Sequence, residues 1–235
     1  MQALDLYATI EEYLDFEDEV HHLYKTIGHT VLSKEPKTLI DIGCGQGEFC
    51  HIMELNGIKS FGVDLSAKQI EIAVSKGTDA KCIDIKDIKE TYDCATATFD
   101  VINYIPQNTI KEFLESCYQV VNKEGYFIFD INSLYGFENI AQGTLNIDLE
   151  DKFIAIDANF EEGTLYTDIT LFDKEDKGEK YIKFNGTIEQ YCYEKSELSS
   201  LLEEVGFEVE NIINFNLHSS EEHDKYIYVC KKDKQ

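Results

Sequence analysis

The sequence contains no arginine, so all 21 basic residues are lysines, and 46 acidic residues give a net charge of −25. Bidentate recognition of carboxylates and phosphates favours arginine. An acidic surface also repels phosphate backbones and anionic membrane leaflets. We therefore expect no nucleic-acid and no membrane partner, whereas a cationic small molecule would meet a favourable field. The alternative is that the charge serves solubility alone.

Cysteine spacing and the lack of long apolar runs exclude further classes of protein. The seven cysteines form no C-x-x-C pair, so no metal site is expected, and an odd number in 235 residues does not suit a disulfide scaffold. No apolar run reaches the roughly 18 residues that a membrane span requires. Asp5, Glu11 and Glu12 interrupt any N-terminal signal sequence, so the expected location is cytoplasmic.

Strand and helix patterns alternate along most of the chain. Apolar residues at intervals of three and four predict a helix over 16–31, and short apolar strands then alternate with further helices. This alternation predicts an α/β fold with a mainly parallel sheet and helices on both faces. The predicted strands are 38–42, 60–64, 80–85, 92–98, 126–131, 207–215 and 225–230.

The apolar period changes to two between about 145 and 193, where turns are indicated at Glu161-Glu162-Gly163 and Asp176-Lys177-Gly178. This predicts a small antiparallel β insertion after strand 5, which could be a substrate lid or a dimerisation sheet. The expected organisation is an N-terminal helical segment over 1–34, a core over 35–136 and 194–235, and the insertion over 137–193.

A glycine-rich loop, Gly43-Cys44-Gly45-Gln46-Gly47, follows the first predicted strand. Glycines let the backbone approach a ligand closely, and the helix behind them offers free amides. The spacing departs from the dinucleotide fingerprint, because Glu48 stands where the third glycine would be. Asp41 lies two residues before the loop, and with Glu48 it would repel a pyrophosphate and attract an amine.

Two further aspartates follow the next two predicted strands. Asp64 ends the second strand, where a carboxylate can accept hydrogen bonds from both ribose hydroxyls. Asp84 with Ile85 ends the third, offering an acceptor for an exocyclic amine and an apolar cover for a purine. Each aspartate alone could be a turn or helix cap. Three at consecutive strand ends indicate a nucleoside site.

These motifs resemble those of the class I S-adenosylmethionine-dependent methyltransferases. The resemblance is carried by Leu39 to Gly47, Gly62-Val63-Asp64-Leu65-Ser66 and Asp84-Ile85, and continues to Val205-Gly206-Phe207. It implies a Rossmann-like sheet of seven strands with the last one antiparallel. The insertion after the fifth strand is similar to that of small-molecule members, including amino-sugar N-methyltransferases. Glu189-Gln190-Tyr191 lacks the arginine that several of them have before the tyrosine.

The resemblance also implies roles for individual residues. Asp41 and the glycine loop would hold the methionine portion of S-adenosylmethionine, Asp64 the ribose, and Asp84 with Ile85 the adenine. Phe99 and Asp100 would border the sulfonium, and Tyr7 or Tyr13 would cover the donor. The expected cofactor-binding residues are therefore Tyr7, Asp41, Gly43, Cys44, Gly45, Gln46, Asp64, Leu65, Asp84, Ile85 and Phe99.

Candidates for the acceptor side follow the fourth and fifth strands. Ligands of open α/β sheets bind at the carboxyl ends of strands. No histidine occurs between His51 and His218, so a general base would come from a carboxylate, a tyrosine or a late histidine. The candidate catalytic residues are Asp100, Asn103, Tyr104, Asn132 and Tyr135.

Three functions remain open from the sequence. The first is methyl transfer to a small-molecule acceptor, N- or O-directed, with an amine favoured because arginine is absent. The others are a regulatory protein that binds S-adenosylmethionine without transferring methyl, and a nicotinamide oxidoreductase. The chain could be a monomer or a homodimer, and the acceptor and its attacking atom stay open.

Overall fold

The structure, a computed structural model, describes residues 3–175, 180–218, 220 and 222–233. Eleven strands are present in the described part of the chain: β1 Thr38–Ile42, β2 Lys59–Asp64, β3 Ala80–Cys82, β4 Tyr92–Ala97, β5 Val121–Asn132, β6 Gly143–Asp148, β7 Lys152–Glu161, β8 Thr164–Lys174, β9 Tyr181–Tyr191, β10 Phe207–Phe215 and β11 Lys225–Lys232. The helices are α1 Ala3–Ile10, α2 Glu17–Leu32, α3 Glu48–Leu55, α4 Ala67–Ser75, α5 Ile110–Val120, α6 Leu134–Asn139 and α7 Lys195–Val205.

Seven strands form the main sheet, in the order β10-β11-β5-β4-β1-β2-β3. The pairs β1/β2, β1/β4, β2/β3 and β4/β5 are parallel, whereas β11 runs antiparallel to both β5 and β10. The predicted Rossmann-like sheet is therefore confirmed. Because β1 to β5 are parallel, their carboxyl ends meet at one edge, and the loops that follow them meet there as well.

Apolar side chains cover both faces of this sheet. On one face α5 and α7 pack against the central strands through residues such as Leu114 and Leu198, which are fully buried. On the other face α2 and α3 do so through Leu23, Ile27 and Phe49. Strands covered on both sides need nearly continuous apolar sequence, which explains the composition of β1 and β5.

The second sheet is antiparallel, in the order β6-β7-β8-β9, as the period of two predicts. Its apolar face packs on α1, where Leu6 and Ile10 meet Ile169 and Ile188. The predicted turn at Glu161-Glu162-Gly163 joins β7 to β8, whereas the one at Asp176-Lys177-Gly178 lies outside the described residues.

Two predicted strands differ from the structure by three residues or more at one end. The third ends at Cys82, because the Asp84 side chain accepts a hydrogen bond from the Lys86 amide and starts a short 3₁₀ helix over Ile85–Asp87. The fifth begins at Val121 rather than at residue 126, and its pairing with β4 is irregular; within this added part of the strand Glu124 has φ +62°. No helix in the described residues is long and apolar enough to cross a membrane.

Candidate active site

A cavity of about 960 Å³ opens at the carboxyl edge of the main sheet. The glycine loop, the end of β2 and the segments after β3 and β4 form one part of its wall. The N-terminal segment, from α1 to the start of α2, forms another part. The cavity therefore lies where ligands of open α/β sheets bind, with helical cover from the start of the chain.

The glycine loop presents backbone to this cavity. Gly43, Gly45 and Gly47 have φ values of +69°, +51° and +81°, a region in which other residues are strained. The amides of Gly43 and Cys44 donate to the Val63 carbonyl at 2.7 and 3.0 Å, which ties the loop to β2. A Cβ placed on Gly45 would meet no atom within 4 Å, so the loop leaves open space for a ligand there.

Asp64 is held in place by the loop that it faces. One carboxylate oxygen accepts from the Gly45 amide at 3.0 Å, and the other accepts from the Ser66 amide at 2.8 Å. Burial raises the pKa of Asp64, although these backbone donors oppose the shift. A carboxylate has about four lone-pair positions, so both oxygens can still accept hydrogen bonds from a bound diol.

Asp41 is buried just before the loop and does not line the cavity. Its Oδ1 accepts from the Thr96 hydroxyl at 2.7 Å, whereas its Oδ2 has no hydrogen-bond partner in the described residues. Burial raises the pKa of Asp41 to about 7, and the neighbouring Asp64 adds to the shift. A buried acceptor without a partner is uncommon in folded proteins and indicates a place where a ligand donor can bind.

The other cofactor candidates reach the same cavity. Asp84 lies at its rim, with its carboxylate 2.8 Å from the Lys86 ammonium, and Ile85 is buried beside it. Leu65 is exposed to the opening. The structure thus brings to one cavity, as lining residues, Tyr7, Gly43, Cys44, Gly45, Gln46, Asp64, Leu65, Asp84, Ile85 and Phe99.

The acceptor-side candidates are placed differently, since only Tyr104 of the five lines the cavity. Asn103 is fully buried: its Nδ2 donates to the Tyr191 carbonyl at 2.8 Å, and its Oδ1 accepts from the Asn132 amide at 3.0 Å. This side chain therefore joins the main sheet to the end of β9. The Asp100 carboxylate contacts the buried Lys225 ammonium.

Asn132 and Tyr135 lie beyond the cavity wall as well. Asn132 ends β5 in register with Lys225, and Tyr135 belongs to α6, a helix that the sequence analysis did not predict. That helix begins at the Ser133 cap and packs through Phe137 on Phe160 of β7, with ring centroids 5.1 Å apart. The structure therefore does not bring these two side chains to the cavity.

Tyr7 and Tyr104 lie close together in the cavity wall. Burial raises the pKa of both phenols, and the charges of Glu11 and Asp100 act in the same direction. Both therefore stay neutral near pH 7. Neither hydroxyl hydrogen-bonds to a residue in the described part of the chain, so each can donate to or accept from a ligand.

Glu11 is a site residue that the sequence analysis did not identify. It begins a 3₁₀ helix over Glu11–Tyr13, and its Oε2 accepts from the side-chain amides of Gln46 at 3.0 Å and Gln69 at 2.9 Å. In the same segment, Asp5 accepts from the Ser66 hydroxyl at 2.7 Å. These bonds join the N-terminal cover to the loop and to α4 across 35 to 61 residues of sequence, a distance at which no local pattern gives a signal.

The cavity wall is strongly acidic. It includes eight carboxylates and two lysines, and one of those lysines, Lys86, is paired with Asp84. The other, Lys76, donates to the Gln46 side chain at 2.7 Å. The field inside the cavity therefore favours a cationic ligand over an anionic one.

Comparison with known proteins finds a matching family model and similar sequences. A family model described as a methyltransferase domain matches residues 16–212. A protein of Geobacillus sp. (strain WCH70), named as an unproven methyltransferase, is 26% identical over 211 residues, covering 83% of this chain and 85% of its own length.

Solved structures of low sequence identity share the fold. A S-adenosylmethionine-dependent methyltransferase from Clostridium acetobutylicum ATCC 824 matches with a TM-score of 0.77 at 21% identity, over 97% of this chain and 96% of that one. The sugar N-methyltransferase KedS8 from Streptoalloteichus sp. ATCC 53650 matches with a TM-score of 0.74 at 14% identity, over 99% and 94%. Both span the antiparallel insertion as well as the main sheet.

Proposed function

The chain belongs to the methyltransferase domain family, and we propose that it transfers a methyl group from S-adenosylmethionine to a small molecule, with an amine nitrogen as the favoured acceptor. The observation that carries the proposal is the unpartnered, buried Oδ2 of Asp41 beside a glycine loop and a carboxylate, Asp64, that can hold a diol. These carboxylate acceptors and the backbone of the loop suit a nucleoside that carries an amine and a positive charge.

The cavity, together with Asp41 buried just before the loop, fits the donor part by part. Asp41 and the loop at Gly45 would hold the amine-bearing end, Asp64 the ribose, and Asp84 with Ile85 the adenine. When bound, S-adenosylmethionine supplies a methyl group on a cationic sulfur, which a nucleophile can displace in line. The acidic wall attracts this cation, and the N-terminal cover, joined to the loop through Glu11, would reduce the access of water to it.

The acceptor proposal depends on charge and on the two phenols. Without arginine in the chain, an anionic acceptor would depend on lysine or backbone amides for recognition. The acidic wall instead favours an amine. The amine enters as its ammonium, loses one proton to a wall carboxylate or to water, and then attacks through its free lone pair. Tyr7 and Tyr104, neutral near pH 7, can orient that amine by hydrogen bonds without acting as bases. Orientation is the main catalytic contribution that a displacement of this kind requires.

A panel of acceptors tests the proposal. Purified protein is incubated with S-adenosylmethionine and either small primary and secondary amines, including amino sugars, or matched phenols and carboxylic acids. Mass spectrometry then measures methylated product and S-adenosylhomocysteine. We expect turnover on at least one amine above the rate without acceptor. Turnover on phenols or acids alone would overturn the amine assignment and leave the methyl transfer standing.

A further inference from the structure

Lys225 is a fully buried lysine that binds two buried carboxylates. It begins β11, its side chain is 2% exposed, and its ammonium contacts Asp100 and lies 3.0 Å from Oδ2 of Asp130. Asp130 is wholly buried in β5. Burial of charged groups is costly unless they are paired, so this cluster is an unusual feature that the fold alone does not require.

The same cluster controls the turn that follows β4. Phe99 and Asp100 are consecutive non-glycine residues with φ values of +64° and +69°, a strained conformation. Asp130 accepts from both of their amides, at 2.6 and 3.3 Å, and Lys225 holds the Asp100 side chain. Asp130 therefore fixes the backbone of the turn, and Lys225 fixes the Asp100 side chain.

This turn forms part of the cavity wall. Phe99 lines the cavity, and its ring lies with its centroid 5.5 Å from the Lys225 ammonium. Tyr104 follows within the next 3₁₀ helix, Val101–Tyr104, so a displaced turn would also move the phenol. The Asp100 carboxylate, held by Lys225, is 13% exposed.

We propose that Lys225 and Asp130 are positioning residues for methyl transfer: Asp130 holds the backbone amides of the Phe99–Asp100 turn in its left-handed conformation, and Lys225 keeps the Asp100 carboxylate paired. The inference rests on the proposed function. Positive charge on the donor sulfur decreases during transfer, so a free carboxylate beside it would stabilise the reactants more than the transition state. Lys225 removes that carboxylate from the cavity and places an aromatic ring in the wall.

The test uses a charge-balanced pair of substitutions. Removing only Lys225 would leave two buried carboxylates unpaired, so Lys225→Met is combined with Asp130→Asn, which keeps the net charge of the cluster unchanged. Lys231→Met, a partly exposed lysine of the same strand, is the matched control. For each protein we would measure thermal unfolding, S-adenosylhomocysteine affinity, kcat, KM and hydrogen exchange of peptides that cover 98–104.

The expected result is a separation of rate from donor binding. In the double variant kcat should fall about tenfold or more, because a displaced turn moves Phe99 and Tyr104 away from the positions that orient the reactants. Hydrogen exchange over 98–104 should accelerate by a similar factor, while S-adenosylhomocysteine affinity changes less than about threefold. Lys231→Met should resemble the wild type in all of these measurements.

Two results would overturn the inference: unchanged kcat with unchanged exchange over 98–104, or equal losses of kcat and donor affinity. If the double variant does not fold, Asp100→Ala removes the side-chain tether at a partly accessible position and leaves Lys225 paired with Asp130. The same split between kcat and affinity is expected there, and its absence counts against the inference. Failure of the wild type to bind S-adenosylhomocysteine would instead refute the proposed function.

Discussion

Replacement of Asp41 by asparagine should stabilise the protein at alkaline pH and weaken donor binding at the same time. Asp41 is 1% exposed, and its Oδ2 has no partner in the described residues. Burial raises its pKa from the ordinary 3.8 to about 7. Ionised Asp41 is therefore a buried charge that the fold compensates only through the hydrogen bond from the Thr96 hydroxyl to Oδ1.

The sign and size of the pH effect follow from this shift. Between pH 4 and pH 7 the folded state keeps a proton on Asp41 that the unfolded state has released, so a rise in pH lowers the free energy of unfolding. Integrated from pH 5 to pH 8, the loss is about 3 kcal/mol relative to a side chain that does not ionise. For a chain of this size, that difference corresponds to roughly 6–12 °C in melting temperature.

Thermal and urea unfolding of wild type and Asp41→Asn at pH 5 and pH 8 measure this difference. Comparison between the two pH values cancels the constant cost of burying an unpaired amide, about 1–3 kcal/mol. Asp79→Asn, at an exposed position just before β3, is the control for net charge. If the free energy of unfolding changes equally with pH in wild type and Asp41→Asn, ionisation of Asp41 does not destabilise the folded protein, and the reasoning is refuted.

Donor affinity should change in the opposite direction. A buried hydrogen bond to a charged group contributes about 1.5–3 kcal/mol, so Asp41→Asn should bind S-adenosylmethionine about 10- to 100-fold more weakly at pH 8. A variant that is both more stable and as tight as the wild type would refute the role of Oδ2 in holding the donor.

Three further substitutions test other parts of the site. Tyr104→Phe removes a hydroxyl that faces the cavity and should lower kcat about tenfold without changing S-adenosylhomocysteine affinity; a parallel loss of affinity would contradict its acceptor-side role. Gly43→Ala should destabilise more than Gly57→Ala, measured by thermal unfolding, because both have positive φ but only the first Cβ meets Val101, at 2.6 Å. Glu11→Ala should speed release of S-adenosylmethionine about tenfold, measured by stopped-flow chase, because the hydrogen bonds from the Gln46 and Gln69 side chains are lost. Glu12→Ala, at a residue that binds neither glutamine, should not change this rate. Equal release rates in the two variants would show that these hydrogen bonds do not hold the N-terminal cover over the cavity.

Much of the fold and of the donor side can be predicted because the signals are local. The short apolar strands that end before Gly43 and at Asp64 place two strand ends without any knowledge of tertiary structure. Parallel pairing then brings Asp64 to the glycine loop, because β1 and β2 share their carboxyl edge. The third strand is shorter than predicted, since Asp84 caps a turn through its own side chain.

The acceptor side cannot be predicted in the same way. Asn103 follows β4 and Asn132 ends β5, close to where the sequence suggests, but hydrogen bonds to distant backbone satisfy the Asn103 side-chain amide and keep it out of the cavity. Glu11 and Lys225 act through partners far away in sequence, Gln69 and Asp130. Such contacts depend on how helices and sheets pack, which periodicity and motif spacing do not encode.

Isothermal titration of S-adenosylhomocysteine into wild type, Asp64→Asn and the control Asp79→Asn tests the central claim most directly. The account predicts saturable binding of one ligand per chain to the wild type and to Asp79→Asn. The affinity of Asp64→Asn should be lower by about tenfold or more, because an amide has only one acceptor oxygen and no charge with which to bind the two ribose hydroxyls. Absence of binding to the wild type, or equal affinity in all three proteins, would contradict the assignment of this cavity as the donor site.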